Sequence, residues 1–184
     1  MIDFSGKHVA ITGGAGEIGL VIARQFAENG ATVTLFDRVP PPDFENLRSQ
    51  FGFAFEEGDV TNPASMTAAV ERMSDVDIAV ANAGVHRGAR FLDLSPADWQ
   101  LMLDVNTTGV LFFCQAVARK MVKRGQGGSI VITGSWVQDV PHVDNTGYCS
   151  SKAAAAMIAR CMALELAEHQ IRVNVVAPGI VNAG

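Results

Sequence analysis

The chain has 184 residues, 14 Lys/Arg against 19 Asp/Glu and a formal charge of -5 with no Lys/Arg-rich run, which fits one domain and excludes nucleic acid as a partner, since that binding rests on clustered positive charge. Cys114, Cys149 and Cys161 are odd in number and lack metal-ligand spacing, so reduced, buried or half-buried thiols are expected, with no disulfide framework and no metal site. The start has no basic segment leading into an apolar one, and the most apolar stretch, 153–167, is broken by Arg160 and Glu165, so neither a signal peptide nor a membrane span is expected and the protein is read as cytoplasmic.

In chain order, short apolar runs at 8–12, 31–36, 52–56, 78–81, 129–133 and 172–177 read as strands, and helical periodicity fills 17–29, 63–73, 96–124 and 146–169. Ser95-Pro96 and Asn62-Pro63 are cap-then-proline starts, while Pro40-Pro41-Pro42 reads as a stiff loop. Nearly continuous apolar strands with connections too long for hairpins predict an α/β domain with a doubly wound parallel sheet, Rossmann-like and three-layered.

Between the first strand and the first helix stands Thr12-Gly13-Gly14-Ala15-Gly16-Glu17-Ile18-Gly19. Free N–H groups at a helix start favour a pyrophosphate, and glycines let it approach. No Gly-Lys-Ser/Thr follows, which disfavours ATP and GTP hydrolysis. Asp37 ends the second strand where a carboxylate can accept from the adenosine ribose hydroxyls and repel a 2′-phosphate. NAD is therefore preferred over NADP, although Arg38 beside it offers a guanidinium to that phosphate.

Tyr148, the only tyrosine, and Lys152 lie four residues apart on one helical face. A free phenol has a pKa near 10, so acid/base work at neutral pH needs a nearby positive charge, which Lys152 can supply. Ser135 stands at the carboxyl end of the fifth strand, where open α/β sheets build their sites, and can fix a substrate oxygen against Tyr148. His142, between Ser135 and Tyr148, is the rival base and reads more simply as a substrate contact or an exposed side chain.

These residues together resemble the short-chain dehydrogenase/reductases over nearly the whole chain. The turn from Thr12 to Gly19 is similar to that family's cofactor loop, and Asp59-Val60 to its adenine contact. Asn82-Ala83-Gly84 matches the signature that supports the sheet beside the cofactor. Asn106, Ser135, Tyr148 and Lys152 fall in the order of its catalytic tetrad, and Pro178-Gly179-Ile180-Val181 resembles the turn against the nicotinamide carboxamide. The resemblance implies an oxidoreductase acting on an alcohol or carbonyl. Tyr148 would move the proton and Ser135 position the oxygen. Lys152 would hold the nicotinamide ribose and depress the phenol pKa, and Asn106 would orient a relay water, though an asparagine inside a helix also commonly bonds backbone. It further implies a homodimer or homotetramer built on the 96–124 and 146–169 helices, whose small residues allow close packing.

Two positions depart from the family pattern. Glu17 replaces a glycine and must point to solvent if it is not to repel the phosphates, and Ala183 stands where a threonine is frequent. Trp136, Val137, His142, Asp144, Asn145, His86 and Arg87 are expected to line a pocket of mixed polarity suited to a sugar or polyol, with a hydroxy- or oxo-acid, a ketone or a steroid open as alternatives. A non-catalytic dinucleotide-binding scaffold is the rival from another class, which would need none of Ser135, Tyr148 and Lys152. The last expectation is that a further C-terminal strand and closing segment are missing, making the chain a fragment and the 172–177 strand an uncovered edge.

Overall fold

The computed structural model describes residues 2–181. Six strands form one parallel sheet in the order β3-β2-β1-β4-β5-β6, with β1 His8–Thr12, β2 Thr32–Asp37, β3 Ala54–Glu57, β4 Ile78–Ala81, β5 Gly128–Thr133 and β6 Ile171–Val176. Val9 sits opposite Val33 on one side and Ile78 on the other, and the register continues through Ser129 to Arg172. The order reverses between β1 and β4, and the crevice at such a switch point is where open α/β sheets bind ligands.

Alternate residues of each central strand feed opposite cores, as the two-residue side-chain period requires. Val9, Ile11, Val33 and Leu35 pack with Ala23 of α1 (Glu17–Glu28) and Leu47 of α2 (Phe44–Phe51). Ala10, Phe36, Ala79, Ala81, Ile130 and Ile132 face the other way, onto α3 (Pro63–Arg72), α5 (Gly109–Arg124) and α6 (Thr146–Glu165). These are the three predicted layers. Fully burying one such aliphatic side chain contributes roughly 1.5–3 kcal/mol, so the two clusters fix the strand ends on which the site stands.

Four local features differ from the sequence expectation. Helix α2 occupies what reads as loop after the prolines; it is one short amphipathic piece with only Leu47 buried, and Gly52 ends it at φ 71°. Gly52 is thus a left-handed helix cap and β3 begins two residues later, at Ala54. The long helix Pro96–Arg124 is divided into α4 (Pro96–Leu103), a π turn at Asp104–Thr108 and α5. The last helix stops at Glu165 and yields to a tight turn at Ala167–His169.

Pro96–Arg124, rather than 153–167, is the segment long and apolar enough by composition to cross a membrane. Here it supplies the core, burying Phe113, Cys114, Val117 and Met121. Cys161 is exposed, against the expectation of buried or half-buried thiols, because it falls on the outer face of α6. Strand β6 is an edge among the described residues, and Val176 at its end is 56% exposed.

Candidate active site

A cleft of about 790 Å³ opens at the carboxyl ends of the strands, running from the glycine turn to Tyr148 and Lys152. Its floor is made by backbone approaching backbone. Gly13 adopts φ +63°, and a Cβ there would come within 2.8 Å of the Ala83 Cα, while a Cβ on Gly19 would strike the carbonyl of Gly13. Thr12, which the sequence reading left unused, ties the two turns together, its Oγ accepting from the N–H of Asn82 at 3.0 Å and of Ala83 at 3.2 Å. Asn82 also accepts from the Thr133 hydroxyl at 3.1 Å and so braces β5. Asn82, Ala83 and Gly84 therefore support the sheet and face the cleft at once.

The other end of the cleft carries the charges. Asp37 ends β2, accepting from the N–H of Ala15 at 3.1 Å and of Arg38 at 2.8 Å, so its carboxylate is fixed against the glycine turn. Arg38, Asp59 and Val60 line the same end. Asp59 folds over its own loop by accepting from Thr61 N–H and hydroxyl, at 2.9 and 2.8 Å. Gly16 is the N-cap of α1, and Glu17 and Ile18 are exposed residues that line the mouth of the cleft. Glycines whose Cβ positions are taken up by neighbouring backbone, the N-terminus of α1 and a carboxylate beyond fit a dinucleotide pyrophosphate and its adenosine ribose.

Ser135, Tyr148 and Lys152 converge at the inner end. Lys152 is only 3% exposed, donates to the carbonyl of Thr133 at 2.7 Å and lies 5.7 Å from the centre of the Tyr148 ring. Burial without a countercharge pulls its ammonium down to about 8. Tyr148 is half-buried, and burial holds its phenol above the ordinary value while the neighbouring Ser135 hydroxyl works in the opposite direction. In the protein alone, desolvation is the larger influence on the phenol. Ser135 is buried, and Gln138, another residue without a sequence signal, receives its N–H at 3.3 Å across the tight turn Trp136–Gln138.

Asn106 sits in the π turn, fully buried. Its Oδ1 accepts from Val85 N–H at 2.8 Å, and its Nδ2 donates to Val85 O at 2.8 Å and Ser151 Oγ at 3.0 Å. Ser151, itself 0% exposed, passes the chain on to the carbonyl of Tyr148 at 2.8 Å. The amide thus clamps the loop after β4 to the first turn of α6. This is the backbone-bonding alternative, turned on another segment instead of its own helix.

Of the expected pocket residues, His86 and Arg87 face the cleft, with the His86 ring edge-on to Tyr148 at 5.1 Å. Asn145 joins them by bonding His86, whereas His142 is exposed and packs on Trp136 at 5.6 Å. Val137 is buried and Asp144 turns the loop at φ 62°. Pro178 holds the loop after β5, its carbonyl accepting from Trp136 N–H at 3.0 Å. Pro178, Gly179, Ile180 and Val181 lie outside the lining of the cleft, and Ile180 is 96% exposed. Ala183 lies outside the described residues. No cluster of metal-ligating side chains occurs among the described residues.

Fold and cleft together define a dinucleotide-binding α/β protein with a tyrosine–lysine pair at its inner end. Residues 7–184 match the short chain dehydrogenase family, and the chain belongs to it. It is therefore an oxidoreductase of a family that uses a nicotinamide cofactor. Among its relatives is the 2,3-dihydro-2,3-dihydroxybenzoate dehydrogenase of Bacillus subtilis, 39% identical over 95% of this chain and 69% of that protein. A short-chain type dehydrogenase/reductase from Mycobacterium marinum superposes with a TM-score of 0.91 at 36% identity, over 96% of this chain and 76% of that one. A gluconate 5-dehydrogenase from Burkholderia cenocepacia, solved with NADP and tartrate, gives 0.91 at 32% identity over 96% and 72%.

Proposed function

We propose that the protein is an NAD-preferring dehydrogenase/reductase that interconverts an alcohol and a carbonyl on a small polar substrate, with Tyr148 as the acid/base. The observation that carries this reading is the convergence of Ser135, Tyr148 and Lys152 at the inner end of a cleft whose outer end is the glycine turn. A scaffold that only bound a dinucleotide would not need a lysine buried without a carboxylate partner among the described residues.

When bound, the nicotinamide supplies the hydride or takes it up. The chain's own groups manage the proton and the geometry. Tyr148 hands a proton to the carbonyl oxygen in reduction and removes it from the alcohol in oxidation, and Ser135 hydrogen-bonds the same oxygen and fixes it against the phenol. The phenol of the protein alone is too weak an acid for this near neutrality, so Lys152 and the positive charge of an oxidised nicotinamide must together offset its burial. Asn106 positions Tyr148 through Ser151.

Asp37 favours NAD over NADP because its carboxylate already faces the glycine turn through Ala15, where a 2′-phosphate would meet a like charge. A polar substrate agrees with His86, Arg87 and Asn145 around Tyr148, and relatives bear names of polyhydroxy substrates. Homodimers or homotetramers through the 96–124 and 146–169 helices complete the reading. Titration with NADH and NADPH by fluorescence, followed by an oxidation screen over alcohols and polyols, tests it. Tighter NADH binding with turnover supports the reading, and binding without turnover across the screen favours the scaffold.

A further inference from the structure

We propose that His86 selects the substrate by accepting, at Nδ1, a hydrogen bond from a hydroxyl on the carbon next to the one that reacts. The pocket then favours vicinal diols and their α-hydroxyketones over simple alcohols and ketones. This rests on the dehydrogenase/reductase reading above and adds the residue that reads the substrate.

The ring is placed by its surroundings. His86 follows the Asn82-Ala83-Gly84 turn, lines the cleft and stands at 86° to the Tyr148 ring with centroids 5.1 Å apart. Its loop is fastened to the loop before α6, since Ala89 N–H donates to Asp144 O at 2.9 Å and Arg90 Nε pairs with Asp144 at 3.1 Å. The left-handed conformation of Asp144, φ 62°, lets the two loops meet. His86 is therefore held on the wall beside the phenol, and a substrate oxygen bound at Tyr148 would bring the substituent on its neighbouring carbon toward this wall.

The tautomer follows from Asn145. Its Nδ2 donates to Val143 O at 2.8 Å, and a backbone carbonyl can only accept, so the amide nitrogen is turned that way. Oδ1 is then the atom that faces His86 Nε2, and it too can only accept. His86 must carry its hydrogen on Nε2, which leaves the neutral ring with a lone pair on Nδ1. That atom has no hydrogen-bond partner among the described residues. A fixed acceptor of this kind welcomes a hydroxyl, repels a carbonyl or carboxylate oxygen, and goes unsatisfied when a substrate without the hydroxyl binds.

The test uses acetoin and butanone, ketones that differ by one adjacent hydroxyl, each reduced with NADH. The unaltered protein is expected to prefer acetoin by about tenfold in kcat/KM. His86→Phe should bring the ratio to within about twofold, and His86→Gln, whose amide oxygen can accept, should recover part of it. Asn145→Ala, which frees the tautomer, should lower the ratio. A second readout needs no turnover: in Tyr148→Phe protein with NADH bound, the His86 ring nitrogen resonance should move on adding acetoin and stay on adding butanone. Equal rates on the two ketones, or a preference that survives His86→Phe, overturns the assignment of His86 alone. A protein that binds NADH yet reduces neither ketone overturns the dehydrogenase reading, and this proposal with it.

Discussion

Lys152 donates to the backbone carbonyl of Thr133 at 2.7 Å and meets no carboxylate among the described residues, so its charge is buried unpaired 5.7 Å from the centre of the Tyr148 ring. The arrangement is poor for stability and useful for a phenol that must lose a proton. Each pKa unit corresponds to about 1.4 kcal/mol, so the drop from 10.5 to about 8 disfavours the native state by about 3 kcal/mol wherever Lys152 is charged in both states. Below about 8 that penalty is full. Between about 8 and 10.5 the unfolded chain binds the extra proton, so the Lys152 contribution makes stability rise with pH across that window. Lys152→Met should be more stable near neutrality by about that amount, lose the pH-dependent rise and fall sharply in turnover. Urea unfolding at several pH values checks it.

A single tyrosine gives a clean optical signal. In the protein alone, tyrosinate absorbance of Tyr148 should appear only above the ordinary phenol range, because burial outweighs the Ser135 hydroxyl. Saturation with NAD should shift that onset to lower pH, since the positive nicotinamide favours the phenolate. An onset unmoved by NAD would remove the electrostatic part of the account.

Cofactor choice turns on Asp37. Asp37→Ala removes a ribose acceptor and a charge that repels the 2′-phosphate, and it also frees Ala15 N–H. The ratio of kcat/KM for NAD over NADP should narrow by about tenfold or invert. Equal use of the two cofactors before mutation would leave the prediction without a basis.

Asn106→Ala strands the N–H and C=O of Val85 and removes the donor to the Ser151 hydroxyl, which keeps its bond to the Tyr148 carbonyl, and these losses cost about 3 kcal/mol in total. Ser151→Ala should cost about 1 kcal/mol, and the double variant should be less than additive because the two share a bond. Chemical denaturation of all three variants checks the coupling.

Much of this was legible because it is carried by local chemistry. The β1 turn, the strand-end position of Asp37 and the four-residue spacing of Tyr148 and Lys152 each follow from residue type and periodicity. What escaped depends on long-range partners. Thr12 and Thr133 read as strand residues until Asn82 is seen between them, and Ser151 reads as an ordinary helix serine until Asn106 reaches it across 45 positions. Helix α2 was lost because its short apolar face buries only Leu47, and the π turn because nothing in Asp104–Thr108 breaks helical periodicity. The upward pull on the Tyr148 phenol is hidden for the same reason: charge signs are visible in a sequence, whereas burial is not.

Tyr148→Phe tests the central claim most directly, since it keeps the ring against His86 and removes only the hydroxyl. On the substrate found by the oxidation screen, turnover should fall by about 10²-fold or more, with NADH affinity nearly unchanged. Turnover retained within a few-fold would contradict Tyr148 as the acid/base.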